Sequence, residues 1–107
     1  MAPRMTTSVL KVVAALLADP AAERYGLQLM QATGLPSGTL YPILVRLERA
    51  GWVESRWEQT DPSADGRPNR RYYLLTADGA VAARREVAAM QQQMARVAVP
   101  GPKVEPA

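Results

Sequence analysis

The sequence contains no cysteine and no histidine among its 107 residues. The absence of cysteine excludes disulfides, thiolate nucleophiles and thiolate metal sites, and it agrees with a reducing, cytoplasmic location. Without histidine, the chain lacks the commonest general base and metal ligand at neutral pH. No two acidic residues have a spacing and an apolar setting that indicate catalysis. We therefore predict a protein that is not an enzyme, without catalytic residues, a metal site or a cofactor.

Long apolar runs are also scarce. The longest, at residues 9–18, is interrupted by Lys11, so we predict a buried helix rather than a signal peptide, and no membrane partner. The length corresponds to one domain, which would bury only roughly 65% of its unfolded surface and would gain stability by oligomerising. The net charge of +3 and the sequence pI of about 9.7 permit a polyanionic partner.

The centre of the chain has the pattern of a helix-turn-helix. A short helix at residues 25–33 is followed by a glycine- and proline-containing turn at 34–36 and by a longer helix at 37–50. Four apolar residues of the longer helix recur at helical spacing and form one stripe: Leu40, Ile43, Leu44 and Leu47. In such a motif the second helix buries one face and presents its N-terminal end to the DNA major groove.

The flanking segments predict a winged helix. We expect a first helix at residues 9–18 capped by Thr7-Ser8, a strand at 52–58, a polar loop at 59–69 and a returning strand at 70–75. A last helix follows at 76–97, with Thr76 as its N-cap and Gly79 as an interior weakness. The predicted fold is mainly α with a small β-hairpin: a winged helix-turn-helix at 6–75, a C-terminal dimerisation helix at 76–97 and a disordered tail at 98–107.

Several single residues carry further expectations. Pro42 should bend the second helix of the motif, because proline removes one backbone hydrogen bond, and Gly51 should end that helix. Trp52 and Trp57 are most simply explained as packing at the sheet. Apolar residues of the last helix recur at steps of three and four, in a short heptad pattern. Together with one face of the first helix they predict a homodimer interface formed by Val9, Val13, Leu17, Ala80, Ala83, Val87, Met90 and Met94.

Three motifs resemble the PadR family of bacterial transcriptional regulators. They are GTLYP at residues 38–42, LERAGWV at 47–53 and GRPNRRYYLLTADG at 66–79, and the likeness extends over roughly residues 8–95. The resemblance implies a dimeric winged-helix repressor whose first and last helices form the dimer. Some small members bind flat aromatic compounds through a tryptophan of the last helix. This chain has no tryptophan there, so drug sensing is not carried over.

The predicted DNA contacts lie in the second helix of the motif and in the wing. Hydroxyl-bearing residues at the helix start suit phosphates, and wing arginines commonly enter a minor groove. Ser37 could instead cap the helix and Tyr41 could pack on a neighbour. One of two adjacent arginines should point away, since successive strand residues face opposite sides. The candidates are Ser37, Gly38, Thr39, Tyr41, Arg46, Arg67, Arg70 and Arg71.

These observations lead to a functional hypothesis with two alternatives. The favoured interpretation is a homodimeric repressor that binds a pseudo-palindromic operator on double-stranded DNA, with release by a small-molecule effector as a further hypothesis. One alternative is a winged-helix module that binds protein rather than DNA. The other is a small-molecule-binding dimer with a secondary DNA role, whose pore would be lined by Val13, Leu17, Met90 and Met94.

Overall fold

The computed structural model describes residues 2–59 and 61–97. Helix α1 (Thr7–Leu17) precedes a two-residue strand β1 (Arg24–Tyr25), helix α2 (Gly26–Thr33) and helix α3 (Ser37–Arg49). Strand β2 (Val53–Trp57), the short helix α4 (Pro62–Asp65) and strand β3 (Arg71–Leu75) form the wing, and helix α5 (Ala77–Val97) follows. The predicted fold class is therefore confirmed, whereas the predicted tail at 98–107 lies outside the described residues.

The sheet has three antiparallel strands rather than the predicted two, in the order β1-β3-β2. Strand β1 pairs Tyr25 with Tyr72, and β2 pairs Val53 with Leu75. A two-residue strand carries no measurable alternation of apolar and polar side chains, so the sequence pattern could not reveal β1. The wing loop also contains α4, where the backbone N–H of Ser63 donates to the Asp61 carboxylate over 3.0 Å.

One apolar core joins α1, the helix-turn-helix, the sheet and the start of α5. The predicted stripe of α3 is buried, with Leu40 and Leu47 fully inaccessible. Helix α1 begins earlier than predicted, because Thr6 rather than Thr7 or Ser8 caps it: the Thr6 hydroxyl accepts from the Val9 N–H over 3.2 Å. Pro42 lies within α3 as expected, and its missing N–H leaves the Gly38 carbonyl without its usual intrahelical donor.

The end of α3 is joined to the start of α5 at a corner built around Trp52. Gly51 has a φ of 78°, as predicted for the residue that ends the helix, and the Trp52 N–H donates to the Leu47 carbonyl over 2.9 Å. The Thr76 N–H donates to the Trp52 carbonyl over 3.0 Å, and the Thr76 hydroxyl accepts from the Gly79 N–H over 2.9 Å, which confirms the predicted cap. These bonds hold α5 against the helix-turn-helix.

Gly79 is a packing requirement rather than a weakness. A Cβ atom built on Gly79 would lie 2.6 Å from both the Cα and the carbonyl carbon of Trp52, which is far inside van der Waals contact. The backbone of α5 can therefore approach Trp52 only where a residue has no side chain. The sequence shows only that Gly79 is a residue of low helix propensity. It contains no information on how closely the backbone of α5 approaches Trp52.

The predicted dimer contacts divide into two groups. Val9, Val13, Ala80 and Ala83 are buried in the protomer, where α1 packs against the first turns of α5. The same chain already covers these four residues, and their contact with a second chain stays a prediction. Leu17, Val87 and Met90 remain half-buried, and Met94 is 58% exposed. The first half of the α5 pattern is thus covered within the protomer, whereas the second half is not.

Candidate nucleic-acid interface

The N-terminal end of α3 lies at the surface next to the wing. Pro36 is the N-cap residue and makes no side-chain capping bond, so Ser37 is the first helical residue and not the cap. Its N–H and that of Gly38 belong to the first turn, whose amides have no intrahelical partner. Ser37, Gly38 and Arg46 are exposed, and Thr39 is half-buried. The helix end therefore offers N–H groups and hydroxyls without an opposing acid, whereas Arg46 lies in the last turn of α3.

Tyr41 both packs against α2 and remains partly accessible. A Cβ on Gly26 would lie 2.8 Å from the Tyr41 Cζ atom, so in this position the ring packs directly on the glycine backbone. The side chain is nevertheless 41% exposed. Tyr41 thus sets the approach of α2 to α3 while its outer edge faces solvent, which combines the two interpretations that the sequence left open.

The base of the wing is held by Glu58, which the sequence analysis did not single out. Its carboxylate accepts two hydrogen bonds from the Arg67 guanidinium over 2.9 and 3.1 Å, and two from the Nε and backbone N–H of Arg70, both over 2.9 Å. These guanidinium bonds lower the pKa of the Glu58 carboxyl from 4.5 to about 2. The Glu58 side chain is 9% exposed, whereas those of Arg67 and Arg70 are 40% and 49% exposed.

Arg70, directly before β3, and Arg71, its first residue, have different partners, but both line the same groove, so the expectation that one of them points away is not confirmed. The Arg70 guanidinium stacks on the Tyr25 ring, with its central carbon 4.0 Å from the ring centroid. Arg71 instead bonds to Ser55 and to the Glu48 carboxylate of α3. The wing arginines are therefore organised by aromatic and acidic neighbours.

An open groove of about 300 Å³ separates the wing from the helix-turn-helix. Its lining consists of aromatic, arginine and small residues: Tyr25, Gly26, Leu27, Tyr41, Trp57, Arg70, Arg71 and Tyr73. Trp52 is buried as predicted, but the prediction that Trp57 packs at the sheet is wrong, because its side chain is 60% exposed at this groove. Burial at the base of the groove raises the pKa of the Tyr73 hydroxyl.

The structure brings the predicted DNA-contact residues to the α3 surface and the wing, although their contact with DNA stays a prediction. Sequence reasoning did not assign Tyr25, Glu48, Trp57 and Glu58 to this surface, because only the fold brings them to the wing arginines that they contact. The described residues contain no group of three or more acidic side chains that could hold a metal ion. No helix in residues 2–59 and 61–97 has the length and apolar character needed to cross a membrane.

Comparisons with known proteins identify the family. A PadR-like regulator of Eggerthella lenta DSM 2243 is 25% identical, with a TM-score of 0.65 over 80% of this chain and 76% of that one. The protein smu.1704 of Streptococcus mutans UA159 is also 25% identical, with a TM-score of 0.67 over 91% and 92% of the two chains. A PadR-like transcription factor of Bacteroides fragilis has the same fold at 22% identity, with a TM-score of 0.67 over 83% and 84%.

No match was found among curated protein sequences. The family model of the PadR-like transcriptional regulators matches residues 14–85, which is more than half of the chain. The protein therefore belongs to the PadR-like family of transcriptional regulators, which are not enzymes.

Proposed function

We propose that this protein is a homodimeric repressor that binds a pseudo-palindromic operator and excludes polymerase from the promoter. The observation that carries the proposal is the acid-free N-terminal end of α3 beside an arginine-bearing wing. The N-terminal turn of α3 would enter the major groove, and Arg67, Arg70 and Arg71 would contact phosphates or a minor groove. Two such helices in a dimer would meet successive major grooves about 34 Å apart.

The second half of α5 supports the dimer. Every residue from 91 to 97 is exposed in the protomer, and Met94 and Val97 are 58% and 71% exposed. Half-buried Leu17, Val87 and Met90 continue this apolar surface toward α1. A second α5 would cover these side chains and remove their apolar area from water. The proposed interface therefore keeps Leu17, Val87, Met90 and Met94 from the sequence prediction and adds Val97.

An effector is a separate hypothesis. Val13 is completely buried in the protomer and cannot line a pore between subunits, so the pore expected from the sequence loses one of its four residues. A small molecule bound near Met90 and Met94 would lower operator affinity only by favouring a different spacing of the two α3 helices. Titrating such compounds into the protein–DNA complex without any change in affinity would count against this hypothesis.

The substitution Ser37→Glu tests the DNA-binding mode. A carboxylate in the first turn of α3 interacts favourably with the helix dipole, so we expect unchanged or slightly higher thermal stability. The same charge would meet the DNA phosphates, and we expect at least a tenfold loss of affinity in fluorescence anisotropy with DNA from upstream of the gene. Equal affinity of Ser37→Glu and the wild type would contradict the proposed docking of α3.

A charge-matched pair of variants tests the wing. Replacing Arg67, Arg70 and Arg71 with alanine removes three positive charges from the wing, and replacing three exposed arginines of α5, Arg84, Arg85 and Arg96, removes the same charge elsewhere. Each lost phosphate contact should lower the salt slope of binding by about 0.9. Equal salt slopes for the two triple variants would contradict a role of the wing in phosphate contact. Sedimentation of both variants serves as a control for their oligomeric state.

A further inference from the structure

Glu58 binds two of the three wing arginines, Arg67 and Arg70, in the way that a DNA phosphate would. The carboxylate accepts a two-pronged guanidinium contact from Arg67 and, from Arg70, one side-chain and one backbone N–H. Planar guanidinium groups recognise carboxylates and phosphates with the same paired geometry. An arginine bound to Glu58 therefore has to leave this carboxylate before it can bind a DNA phosphate.

Direct contact with both arginines makes Glu58 a competitor for DNA phosphate. Its side chain is 9% exposed, whereas those of Arg67 and Arg70 are 40% and 49% exposed and remain accessible to an incoming phosphate. The lowered pKa keeps the carboxylate charged throughout the neutral range. Two arginines and one carboxylate give the wing base a net charge of +1 instead of +2. The nearby Glu54–Arg56 pair, by comparison, has side chains that are 50% and 58% exposed.

We propose that Glu58 limits the affinity of the protein for DNA, because its carboxylate occupies Arg67 and Arg70 as an internal substitute for phosphate. This inference rests on the proposed function. Phosphates are the same on every DNA, so contacts to them add affinity without discrimination. The cost of releasing an arginine from Glu58 therefore lowers affinity on every duplex. A cost that all duplexes share leaves the preference for one sequence over another unchanged, so Glu58 acts on the absolute affinity.

The variant Glu58→Gln tests the proposal, with Glu54→Gln as its matched control. Both variants remove one negative charge from β2 or its immediate extension and keep the side-chain length, but only Glu58 holds the wing arginines. Binding is measured by fluorescence anisotropy on a random-sequence duplex of about 30 base pairs, between roughly 50 and 200 mM salt. A second duplex carries the sequence upstream of the gene.

We expect Glu58→Gln to bind the random duplex several-fold more tightly than Glu54→Gln at the lowest salt concentration. One additional phosphate contact in the bound complex steepens the salt slope by about 0.9, so the ratio of the two affinities should fall roughly threefold between 50 and 200 mM. The affinity for the upstream duplex should rise by a similar factor, so the preference between the two duplexes should stay the same. Amide exchange at position 58, whose N–H donates to the Arg70 carbonyl over 2.9 Å, reports whether the wing base stays paired.

Two results would overturn the proposal while leaving DNA binding intact. Equal affinities and slopes for Glu58→Gln and Glu54→Gln would mean that Glu58 does not compete with phosphate. Weaker binding by Glu58→Gln, with or without loss of amide protection, would mean that the carboxylate holds the arginines ready for DNA. Failure of the wild type and both variants to bind either duplex would instead refute the proposed function itself.

Discussion

The substitution Gly79→Ala distinguishes helix propensity from tertiary packing, because the first predicts a more stable protein and the second a less stable one. Gly79 lies in the first turn of a 21-residue helix. Considered alone, replacing a helical glycine with alanine stabilises a protein by about 0.5–1 kcal/mol. The new Cβ, however, would lie 2.6 Å from the Cα and carbonyl carbon of Trp52, where about 3.5–4.0 Å is optimal. The first turn of α5 would have to move by about 1 Å.

The obstructing atoms cannot move aside easily, because they belong to the backbone. The Trp52 N–H is bonded to Leu47, its carbonyl accepts from Thr76, and its side chain is buried. Overpacking of this kind costs up to about 3 kcal/mol. After subtracting the propensity gain, we expect Gly79→Ala to lower the free energy of unfolding by about 2 kcal/mol. This corresponds to a decrease in Tm of roughly 8–16 °C.

The assay is thermal and urea unfolding followed by circular dichroism, at one fixed protein concentration. Gly38→Ala is the matched control, because Gly38 lies in the first turn of α3 and a Cβ added there would meet no neighbouring side chain or packed backbone within 4 Å. We expect this control to gain about 0.5 kcal/mol. If Gly79→Ala were as stable as the wild type, the close approach of α5 to Trp52 would be refuted.

Three further predictions concern a cap, a carboxylate and the α5 surface. Thr76→Ala removes the acceptor for the Gly79 N–H and the donor to the Gly51 carbonyl, so urea unfolding should report a loss of about 1 kcal/mol; an unchanged midpoint would contradict the cap. The Glu58 pKa is lowered to about 2 in the folded state, so the stability difference between wild type and Glu58→Gln should be full above pH 4.5 and disappear as the pH falls toward 2. Acid titration of the unfolding midpoint checks this, and a difference that persists at pH 2 would refute it. Met94→Glu should weaken the proposed dimer at least tenfold in sedimentation experiments. Because Met94 is 58% exposed, the Tm should not change at concentrations where both proteins are monomeric. An unchanged dimer would show that this part of α5 does not form the interface.

The wing illustrates why sequence reasoning finds some functional residues and misses others. Arginines next to a glycine-containing loop are visible as a charged cluster, and this cluster led directly to Arg67, Arg70 and Arg71. Glu58 lies nine residues before the first of them, directly after a strand that contains other charged side chains. Only the antiparallel pairing of β2 with β3 brings its carboxylate to two of these arginines.

The proposed dimer surface also shows what a sequence pattern cannot predict. The heptad pattern of α5 is correct as a helical pattern, but periodicity states that a face is buried without stating by what. The fold covers Ala80 and Ala83 with α1, whereas Met94 and Val97 lie beyond the reach of the core. One continuous pattern in the sequence therefore serves an intrachain contact in its first half and, in our proposal, an interchain contact in its second.

Local chemistry in the sequence by itself determined the helix-turn-helix, the Thr76 cap of α5 and the family, because turn residues, capping hydroxyls and apolar periodicity act over a few residues. The tertiary structure alone decided which atoms meet across long separations. It paired Tyr25 with Tyr72, set Glu58 between two arginines and brought Gly79 against the backbone of Trp52. These contacts depend on the mutual orientation of α3, the sheet and α5, which arises from packing of the whole core and not from any local pattern.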